Sequence, residues 1–365
     1  MTGVEELIRL PPYSLPEHKK EDLLLPVIIE GVKRSQYSRP MRNMFAKLGV
    51  DPSVICSLED VPPLPVQMFK YFDLSTVPSA EVFRVLRSSG TTGQLQSMVP
   101  LDKVTSSNQT KALKVIMADF MGEKRMPFLV LDHPGVNDPT SELTARGAGV
   151  RGFSIFAKEV VYLLKVEDGQ TKVDIETLAK AAERFAGQRV YLFGFTYIIW
   201  AVVVRELREA GLSFSFPNSV LFHGGGWKKL KDQKVNSREF ASGVCETLGV
   251  PTANVHDFYG MAEQTGVIFV ECEHGHKHVP IFAQVVIRDF QTLAPCPVGR
   301  RGLIEVMSSL GNSYYSQAIL TEDVGRMLGV DDCPCGRKGR YFQVDGRMEQ
   351  VEVRGCGDTF REGGK

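Results

Sequence analysis

Residues 219–258, SVLFHGGGWKKLKDQKVNSREFASGVCETLGVPTANVHDF, predict a strand, a glycine-rich loop, a helix and a second strand. The strands are the short runs at residues 219–222 and 255–258, which contain β-branched and aromatic residues. A capping box, an apolar face at helical spacing and a terminal glycine predict the helix, at Asn236, Glu239, Phe240, Val244, Leu248 and Gly249. Strands that alternate with helices pair in parallel, so this stretch indicates an α/β fold.

The same alternation extends outward from this stretch. Further strands are predicted at residues 81–87, 128–132 and 190–195, and beyond Val267 short strands dominate, in VIFVEC, AQVVIRD and GLIEVMS. One face of a further helix, which Gly187 ends, is formed by Ile175, Leu178, Ala182 and Phe185. We therefore expect mostly parallel sheets with packed helices, a β-rich end, and three parts: a helical and loop layer (1–80), a core (81–345) and a short tail (346–365).

Composition narrows the classes of function. The 365 residues include 43 Lys+Arg and 43 Asp+Glu, so the net charge is +0 and the pI is about 7.0, which argues against binding nucleic acid or anionic membranes. The longest apolar run, residues 191–204, is too short to span a bilayer, and the N-terminal MTGVEELIRL has no secretory h-region. Seven cysteines in this length predict no disulfide framework. We expect a protein of the reducing cytoplasm.

The stretch SSGTTG, formed by Ser88, Ser89, Gly90, Thr91, Thr92 and Gly93, follows a predicted strand and suits phosphate oxygens. Its glycines allow a tight turn, and its hydroxyl and backbone N–H groups can donate hydrogen bonds. Gln94 stands where the lysine of a Walker A loop would follow, so it is not that loop. The alternative interpretation is a polar connection between a strand and a helix.

Two more motifs follow predicted strands, where ligands bind in α/β sheets. The first is His223 followed by Gly224, Gly225 and Gly226, whose bare backbone lets a flat ring approach. The second is YGMAE, in which Tyr259 and Gly260 precede Glu263. Tyr259 can stack on a ring, and Glu263 can hold Mg²⁺ bound to phosphates. The alternative for each motif is an ordinary turn at the end of a strand.

A third glycine pattern, Gly147-x-Gly149-x-x-Gly152, matches the dinucleotide-binding fingerprint in its letters. The residues before it, PTSELTAR, do not form a strand pattern. Because that fingerprint must follow a strand, we expect no Rossmann site here.

Soft and borderline metal ligands occur in two pairs that a long loop separates. They are Cys272 with His278, and Cys333 with Cys335. Four such ligands can close a tetrahedral structural zinc site. His274 and His276 are alternative ligands in CEHGHKH, and the competing interpretation is a solvated histidine-rich turn beside unrelated buried thiols. Cys56, Cys245 and Cys296 are interpreted as small core or loop residues.

The order of these motifs resembles that of the adenylate-forming, or acyl-activating, superfamily. SSGTTG, HGGG, YGMAEQ, TED (321–323) and DGR (345–347) follow one another within about residues 81–355. Within that superfamily, LDHP, ARGAGVRGF, LFGFTYIIW and VRGCGDTF are similar to LuxE-type acyl-protein synthetases, the ligase component of bacterial fatty acid reductase. CPCGRKGR is similar to phenylacetate-CoA ligases, which often bind zinc through similar pairs.

The resemblance implies ATP and Mg²⁺ as cofactors and assigns roles residue by residue. SSGTTG would grip the β- and γ-phosphates, residues 224–226 would line the adenine and the acyl-adenylate, Tyr259 would stack on adenine, and Glu263 would take the metal. Asp323 and Arg347 would bind the ribose hydroxyls. The walls of an acyl pocket would be Phe195, Tyr197 and Trp200, for which core packing is the alternative.

The tail departs from the superfamily pattern. Most members continue into a further domain that carries a lysine assisting adenylation, whereas here 18 residues follow Arg347 and Glu349 stands at the hinge position. We expect that C-terminal domain to be nearly absent. The tail carries Cys356 between two glycines, next to Arg354, which can favour the thiolate. In the resembled synthetases a cysteine near the C-terminus stores the acyl group as a thioester; the alternative is an inert surface cysteine.

The sequence therefore predicts an ATP-dependent acyl-protein synthetase. A carboxylic acid, expected to be fatty, forms acyl-AMP, passes to Cys356, and is delivered to a partner such as an acyl reductase. One alternative is an acyl- or aryl-CoA ligase, and another is a ligase that acylates a separate carrier protein. A third is a non-catalytic nucleotide-binding subunit, against which an intact Glu263 counts.

Overall fold

A computed structural model describes residues 3–88, 95–137, 145–227 and 234–348. Several predictions fall outside these residues: most of the SSGTTG loop (89–93), Glu349, and the tail with Cys356. Within the described residues, no helix combines the length and the apolar character needed to cross a membrane.

The helices cluster in the first quarter of the chain and then alternate with strands. They are α1 (Val4–Arg9), α2 (Glu17–Ser35), α3 (Arg39–Leu48), α4 (Met68–Tyr71), α5 (Lys103–Met121), α6 (Ala145–Phe153), α7 (Ile175–Arg184), α8 (Thr196–Ile198), α9 (Arg205–Ala210) and α10 (Ser237–Leu248). A π-helical stretch, Ile199–Val204, joins α8 to α9.

The strands form two six-stranded sheets and two small hairpins. They are β1 (Leu64–Pro65), β2 (Arg84–Arg87), β3 (Met98–Leu101), β4 (Met126–Val130), β5 (Ala157–Tyr162), β6 (Leu164–Glu167), β7 (Gln170–Val173), β8 (Val190–Phe195), β9 (Ser219–Gly224), β10 (Val255–Tyr259), β11 (Phe269–Val270), β12 (Lys277–His278), β13 (Ala283–Arg288), β14 (Arg301–Ser308), β15 (Ile319–Val330) and β16 (Arg340–Arg347).

The first sheet confirms the predicted α/β organisation. Its order is β11-β10-β9-β8-β4-β5, and its strands are parallel except for β11 at the edge. Helix α10 connects β9 to β10 as predicted: the Asn236 side chain accepts from the Glu239 N–H over 2.9 Å, and Gly249 follows the last helical residue. The connection places the carboxyl ends of β8, β9 and β10 side by side.

The second sheet is the predicted β-rich end. Its path β12-β16-β15-β14-β13 is antiparallel throughout, and β1 from the N-terminal layer adds to β15 in parallel. Strand β13 is buried at every position, so this sheet is covered on both faces.

The N-terminal layer and the second sheet share one hydrophobic core. Leu24, Ile28 and Val32 of α2 are fully buried in it, together with residues of β13 and β14. Backbone hydrogen bonds also join the two: Leu64 N–H to Ala318 O (2.9 Å), Ile281 N–H to Pro12 O (2.8 Å) and Lys338 N–H to Tyr13 O (2.9 Å). Residues before and after position 80, the predicted boundary, therefore belong to one core and one sheet.

Two predicted elements need correction in detail. The strand predicted at 81–87 begins at Arg84, because Ser79–Glu81 forms a 3₁₀ turn after Pro78, and it pairs with β3 in a separate antiparallel hairpin. Helix α7 is present, but its buried face includes Ala181, while Ile175 at its first position is 37% exposed.

The glycine pattern at 147–152 lies inside α6, so the structure confirms that it is not a strand-to-helix phosphate loop. A side chain on Gly149 would come within 2.7 Å of the Phe193 ring. Close packing of this helix on β8 explains that glycine.

Candidate active site

The glycine-rich loop begins at the carboxyl end of β9, where the register places Phe195, Gly224 and Phe258 side by side. A Cβ atom on Gly224 would lie 2.8 Å from the Phe258 carbonyl oxygen, and the Phe195 ring fills the space beside Gly225. Gly225 and Gly226 have φ angles of 87° and 62°, a region that favours glycine. The loop therefore presents bare backbone that a planar ring can approach.

Tyr259, at the end of β10, joins the two sheets through its hydroxyl group. Its Oη donates to Asp323 Oδ2 of β15 over 2.7 Å. Burial and, after it, the Asp323 carboxylate raise the pKa of Tyr259 well above its ordinary value, so the hydroxyl keeps its proton. The Tyr259 ring packs against Phe269 and Phe342, with centroids 6.1 and 6.2 Å away. This aromatic contact holds Asp323 in one orientation.

Asp323 and Arg347 are direct neighbours across β15 and β16. Burial raises the pKa of Asp323, while the hydrogen bond from Tyr259 and the charge of Arg347 oppose that shift. The Arg347 guanidinium pairs with Glu322, to which Gln67 of the N-terminal layer also donates. The two residues predicted to bind ribose hydroxyls therefore lie together, beside Tyr259.

Glu263 lies in the 3₁₀ turn Ala262–Gln264, directly after the Tyr259 motif, and is 5% exposed. Within the described parts of the chain, its carboxylate makes no hydrogen bond or ion pair. Gln264 Nε2 donates to Ser316 O over 2.7 Å and so anchors the turn to the second sheet. A carboxylate that forms no ion pair with another described residue suits a divalent cation, which the predicted role of Glu263 requires.

A chain of polar groups lies beside the glycine loop; Thr196, His223 and Lys277 are buried, and the Asp257 side chain is 31% exposed. His223 Nδ1 is 3.0 Å from Thr196 Oγ1 and 3.6 Å from Asp257 Oδ1. Lys277 Nζ donates to Asp257 Oδ2 over 2.7 Å and to Glu271 Oε2 over 2.6 Å. Burial lowers the pKa of His223 to about 4, so the imidazole is neutral near pH 7. Burial alone would lower the pKa of Lys277, but the two carboxylates outweigh it and raise that pKa.

The three predicted pocket residues do not form one continuous wall. Phe195 contacts the glycine loop and lies 6.5 Å from Tyr197, measured between ring centroids. Trp200 packs instead on the α10 side, 6.0 Å from Phe240 and 6.2 Å from Trp227.

Of the predicted phosphate loop, Ser88 is the residue that the structure describes. The Ser88 N–H donates to the Ser97 carbonyl over 3.2 Å, and Ser88 Oγ accepts from the Ser97 N–H over 2.9 Å. These two bonds close the base of the segment that contains Gly90 and Gly93.

Cys272, His278, Cys333 and Cys335 converge, and their ligand atoms all lie within 4.8 Å of one another. Cys335 Sγ is 3.3 Å from His278 Nε2, and Cys272 Sγ is 3.9 Å from Cys333 Sγ. Burial raises the pKa of Cys272 and Cys333 and lowers that of His278 to about 3, so these groups are neutral near pH 7 when no cation is bound. Three thiols and one imidazole fit the donor preference of zinc.

The two alternative histidines have different surroundings. His276 Nδ1 is 3.2 Å from Cys333 Sγ, and its ring stacks on Tyr341 with a centroid separation of 4.6 Å. The His274 ring lies 6.4 Å from that of His276. His276 therefore borders the cluster, whereas His278 points its Nε2 at a second thiol, Cys335.

Sequence reasoning missed the partners that orient the site. Nothing in the pattern around Lys277 indicated burial, since it stands between two histidines in a polar turn. Thr196 lay in a recognised motif, LFGFTYIIW, but its bond to His223 depends on the pairing of β8 with β9. Asp257 directly precedes the last residue of a predicted strand. Because functional groups lie at the carboxyl ends of such strands, this position could have identified Asp257 as a site residue.

Comparison with known proteins identifies the group to which this architecture belongs. The sequence profile of the family described as acyl-protein synthetase, LuxE, matches residues 4–363. The chain belongs to this family. It is accordingly an adenylate-forming ligase that activates a carboxylic acid as acyl-AMP and transfers the acyl group to a thiol.

Two curated relatives carry the name long-chain-fatty-acid–luciferin-component ligase. The one from Vibrio harveyi is 26% identical over 367 residues, which cover 97% of this chain and 92% of the relative. The one from Aliivibrio fischeri is 22% identical over 307 residues, covering 82% and 78% respectively.

Solved structures show the same fold. A 2-hydroxyisobutyryl-CoA ligase in complex with 2-HIB-AMP, in the postadenylation state, superposes with a TM-score of 0.66 at 17% identity, covering 92% of this chain and 69% of that one. Its open conformation, with 2-HIB-AMP and CoA, gives 0.65 at 16% identity, covering 92% and 76%. This confirms the predicted α/β adenylate-forming fold.

Proposed function

We propose that the chain uses Mg-ATP to activate a fatty acid and then carries the acyl group on its own Cys356. The observation that carries this proposal is the Tyr259–Asp323 hydrogen bond of 2.7 Å, which brings a ribose-binding carboxylate of the second sheet to the edge that holds the glycine loop. The names of the two curated relatives support a long-chain fatty acid as substrate.

The nucleotide is held by groups from both sheets. Asp323 and Arg347 bind the ribose hydroxyls, and Tyr259 with Gly260 lies against the adenine. The backbone of residues 224–226 lines the adenine and the acyl-adenylate. Ser88 closes the base of the loop whose residues 89–93 grip the β- and γ-phosphates, by hydroxyl and N–H donation. In this proposal the α-phosphate lies near the carboxyl ends of β9 and β10.

Glu263 is the residue that holds Mg²⁺ in this proposal. Its burial and its lack of a protein partner among the described residues fit that role. When bound, Mg²⁺ neutralises phosphate charge as the pyrophosphate departs.

The chemistry takes two steps. In the first, a carboxylate oxygen of the acid attacks the α-phosphorus, a new P–O bond forms, the bond to the β-phosphate oxygen breaks, and pyrophosphate leaves. In the second, the Cys356 thiolate attacks the acyl carbonyl carbon, a C–S bond forms, the C–O bond to phosphate breaks, and AMP leaves. In this proposal, backbone N–H groups of the glycine loop stabilise the charge that develops.

The acyl chain lies against Phe195 and Tyr197, next to the glycine loop, with Trp200 further along the same helical segment. The thioester is then passed to an acyl reductase or another acyl acceptor protein. The location that fits this chemistry is a reducing cytoplasm, since the six cysteines among the described residues are all free thiols.

Cys272, His278, Cys333 and Cys335 hold a structural Zn²⁺ in this proposal. With four protein ligands, the site leaves no position for a reactive water, so its contribution is to stability. It joins the turn after β11 to the loop between β15 and β16.

Intact-protein mass spectrometry after incubation with Mg-ATP and a ladder of fatty and aromatic acids tests the function. We expect one covalent acyl increment, absent without ATP and lost in Cys356→Ala. Matched controls are Cys56→Ala and Cys245→Ala, which should acylate normally.

The other outcomes separate the rival functions. AMP production without an adduct would refute the role of Cys356 and favour a CoA ligase or a carrier-acylating ligase. Neither AMP nor adduct with any acid, in the presence of the reductase, would favour a non-catalytic nucleotide-binding subunit.

A further inference from the structure

The polar chain beside the glycine loop has a defined direction of hydrogen bonding. Thr196 Oγ1 lies 3.1 Å from the Gly224 carbonyl oxygen, which can only accept. The Thr196 hydroxyl therefore donates to Gly224, and its oxygen accepts from His223 Nδ1, 3.0 Å away. His223 is thus the neutral tautomer with its proton on Nδ1. The first residue of the glycine loop is fixed through two successive hydrogen bonds.

At its other end, this series of hydrogen-bonded groups meets an ionic group formed by Asp257, Lys277 and Glu271. The His223 Nδ1–H also faces Asp257 Oδ1 at 3.6 Å, and the other oxygen of Asp257 accepts from Lys277. The Lys277 side chain is 6% exposed and also binds Glu271. A buried lysine between two carboxylates is held firmly, because releasing either contact would leave a buried charge uncompensated.

Lys277 belongs to the segment that carries the Cys/His cluster. It stands between His276 and His278, and its backbone bridges to Glu271, the residue before Cys272. Lys277 itself points away from the cluster into the first sheet, where Asp257 lies on β10. One side chain therefore connects this segment to the strand next to the glycine loop.

We infer that Lys277 and Asp257 are positioning residues for the glycine loop. Asp257 orients the His223 ring, His223 donates a hydrogen bond to Thr196, and the Thr196 hydroxyl donates to the Gly224 carbonyl. This inference rests on the proposed nucleotide-binding role of residues 224–226. None of the four side chains needs to touch the substrates.

Two readouts on the full-length chain test it. The first is the KM for ATP and the kcat of pyrophosphate release with a fatty acid; the second is the NMR signal of the His223 Nδ1 proton, assigned by its loss in His223→Asn. We expect Lys277→Met to raise the KM for ATP about tenfold with kcat little changed, since a displaced lining loop weakens binding in ground and transition states alike. The His223 proton signal should shift. Lys277→Arg, which keeps the charge, should restore most of both properties.

The matched control is Lys180→Met, which removes an exposed lysine that pairs with Glu176 at 2.5 Å. It should leave both readouts unchanged. If Lys277→Met leaves the KM and the His223 signal as they are in the wild type, the inference is overturned while the proposed function stands.

Two further outcomes remain decisive. If Lys277→Met lowers the melting temperature so far that kinetics cannot be measured, Thr196→Val takes its place: a raised KM for ATP supports the inference, and an unchanged KM overturns it. If the wild type makes no adenylate, the proposed function fails. The His223 signal in Asp257→Asn then decides the network on its own, by shifting or remaining.

Discussion

Tyr259 keeps its proton because burial and a neighbouring carboxylate disfavour its ionised form. That proton is donated to Oδ2 of Asp323 and fixes which carboxylate oxygen faces Tyr259. Similarly, the neutral tautomer of His223 follows from one acceptor, the Gly224 carbonyl, and from the Thr196 hydroxyl between them. At the scale of single residues, protons held by burial orient the site.

Tyr259→Phe should raise the KM for ATP by about tenfold, because it removes a hydrogen bond to a charged group worth roughly 1.5–3 kcal/mol. ATP-dependent pyrophosphate release measures the effect. Tyr341→Phe is the matched control, since Tyr341 Oη likewise donates to a carboxylate, Asp332 Oδ1, at 2.9 Å. Equal KM values for the two variants would contradict the assignment of Asp323 to the ribose.

Two buried histidines make stability fall on acidification. Burial lowers the pKa of His223 and His256 to about 4, from 6.5 in the unfolded chain. Between these values the unfolded state binds more protons, so stability is complete above pH 6.5 and declines as the pH falls towards 4. By linkage, each histidine costs about 2 kcal/mol at pH 5.

His256→Gln should therefore lose about 2 kcal/mol less stability than the wild type between pH 7.5 and pH 5. Urea unfolding at both values measures this difference. His18→Gln, at an exposed position, is the control. An unchanged pH dependence in His256→Gln would show that this histidine is already protonated in the folded chain.

At the scale of elements, β12 is too short to be stable through its own strand pairing, so its stability depends on contacts of the flanking segments. Two residues pair with β16, and the flanking turn carries Cys272 while the β15–β16 loop carries Cys333 and Cys335. A bound cation would join these two connections. Because burial raises the pKa of Cys272 and Cys333 and keeps these two thiols protonated without it, binding should also release protons.

Metal removal tests this element. Chelation of the purified protein, or Cys333→Ser, should lower the melting temperature by roughly 5 °C or more, as expected for the loss of a few kcal/mol. Added Zn²⁺ should restore the chelated wild type but not the variant. Cys245→Ser, outside the cluster, should respond to chelation as the wild type does. If the chelator leaves the melting temperature of the wild type unchanged, the protein contains no structural metal.

Elements with a strong local pattern were predictable. The unit β9–α10–β10 was predictable from the sequence, because the helix cap, the apolar spacing and the terminal glycine all indicate the same helix. The start of β2 was not, since Pro78 sets a 3₁₀ turn that continues through Glu81 despite the β-branched residues after it. Spacing and ligand chemistry predicted that Cys272, His278, Cys333 and Cys335 would lie together, and their ligand atoms do converge. The burial of Lys277 was not predictable, because it depends on the carboxylates of Asp257 and Glu271, which only the folded sheets bring together.

At the scale of the molecule, one core connects the N-terminal layer to the second sheet, and a second cluster lies behind the first sheet. Leu24 is fully buried in the first cluster, whereas Trp200 and Trp227 pack against the second. These are the two tryptophans of the chain, so fluorescence reports on the second cluster alone.

Leu24→Ala should cost about 2–5 kcal/mol. If the described parts unfold as one cooperative unit, the tryptophan fluorescence transition in urea should shift together with the loss of helical circular dichroism. Val203→Ala, in the cluster next to the tryptophans, serves as the comparison. A fluorescence transition that Leu24→Ala leaves in place would show that the second cluster unfolds independently of the first.

The pairing of β1 with β15 also sets an order of events during synthesis. The Tyr315 hydroxyl donates to the Pro62 carbonyl, 253 residues away along the chain. The ribosome releases the N-terminal layer before the strand and the apolar surface that complete it, and the Tyr315 hydroxyl that contacts Pro62 is made 253 residues later. Until then Leu24, Ile28 and Val32 have no native neighbours from the second sheet. The nascent chain consequently exposes the apolar face of α2 until the second sheet has been made. Chaperones that bind exposed apolar segments can bind it during that time.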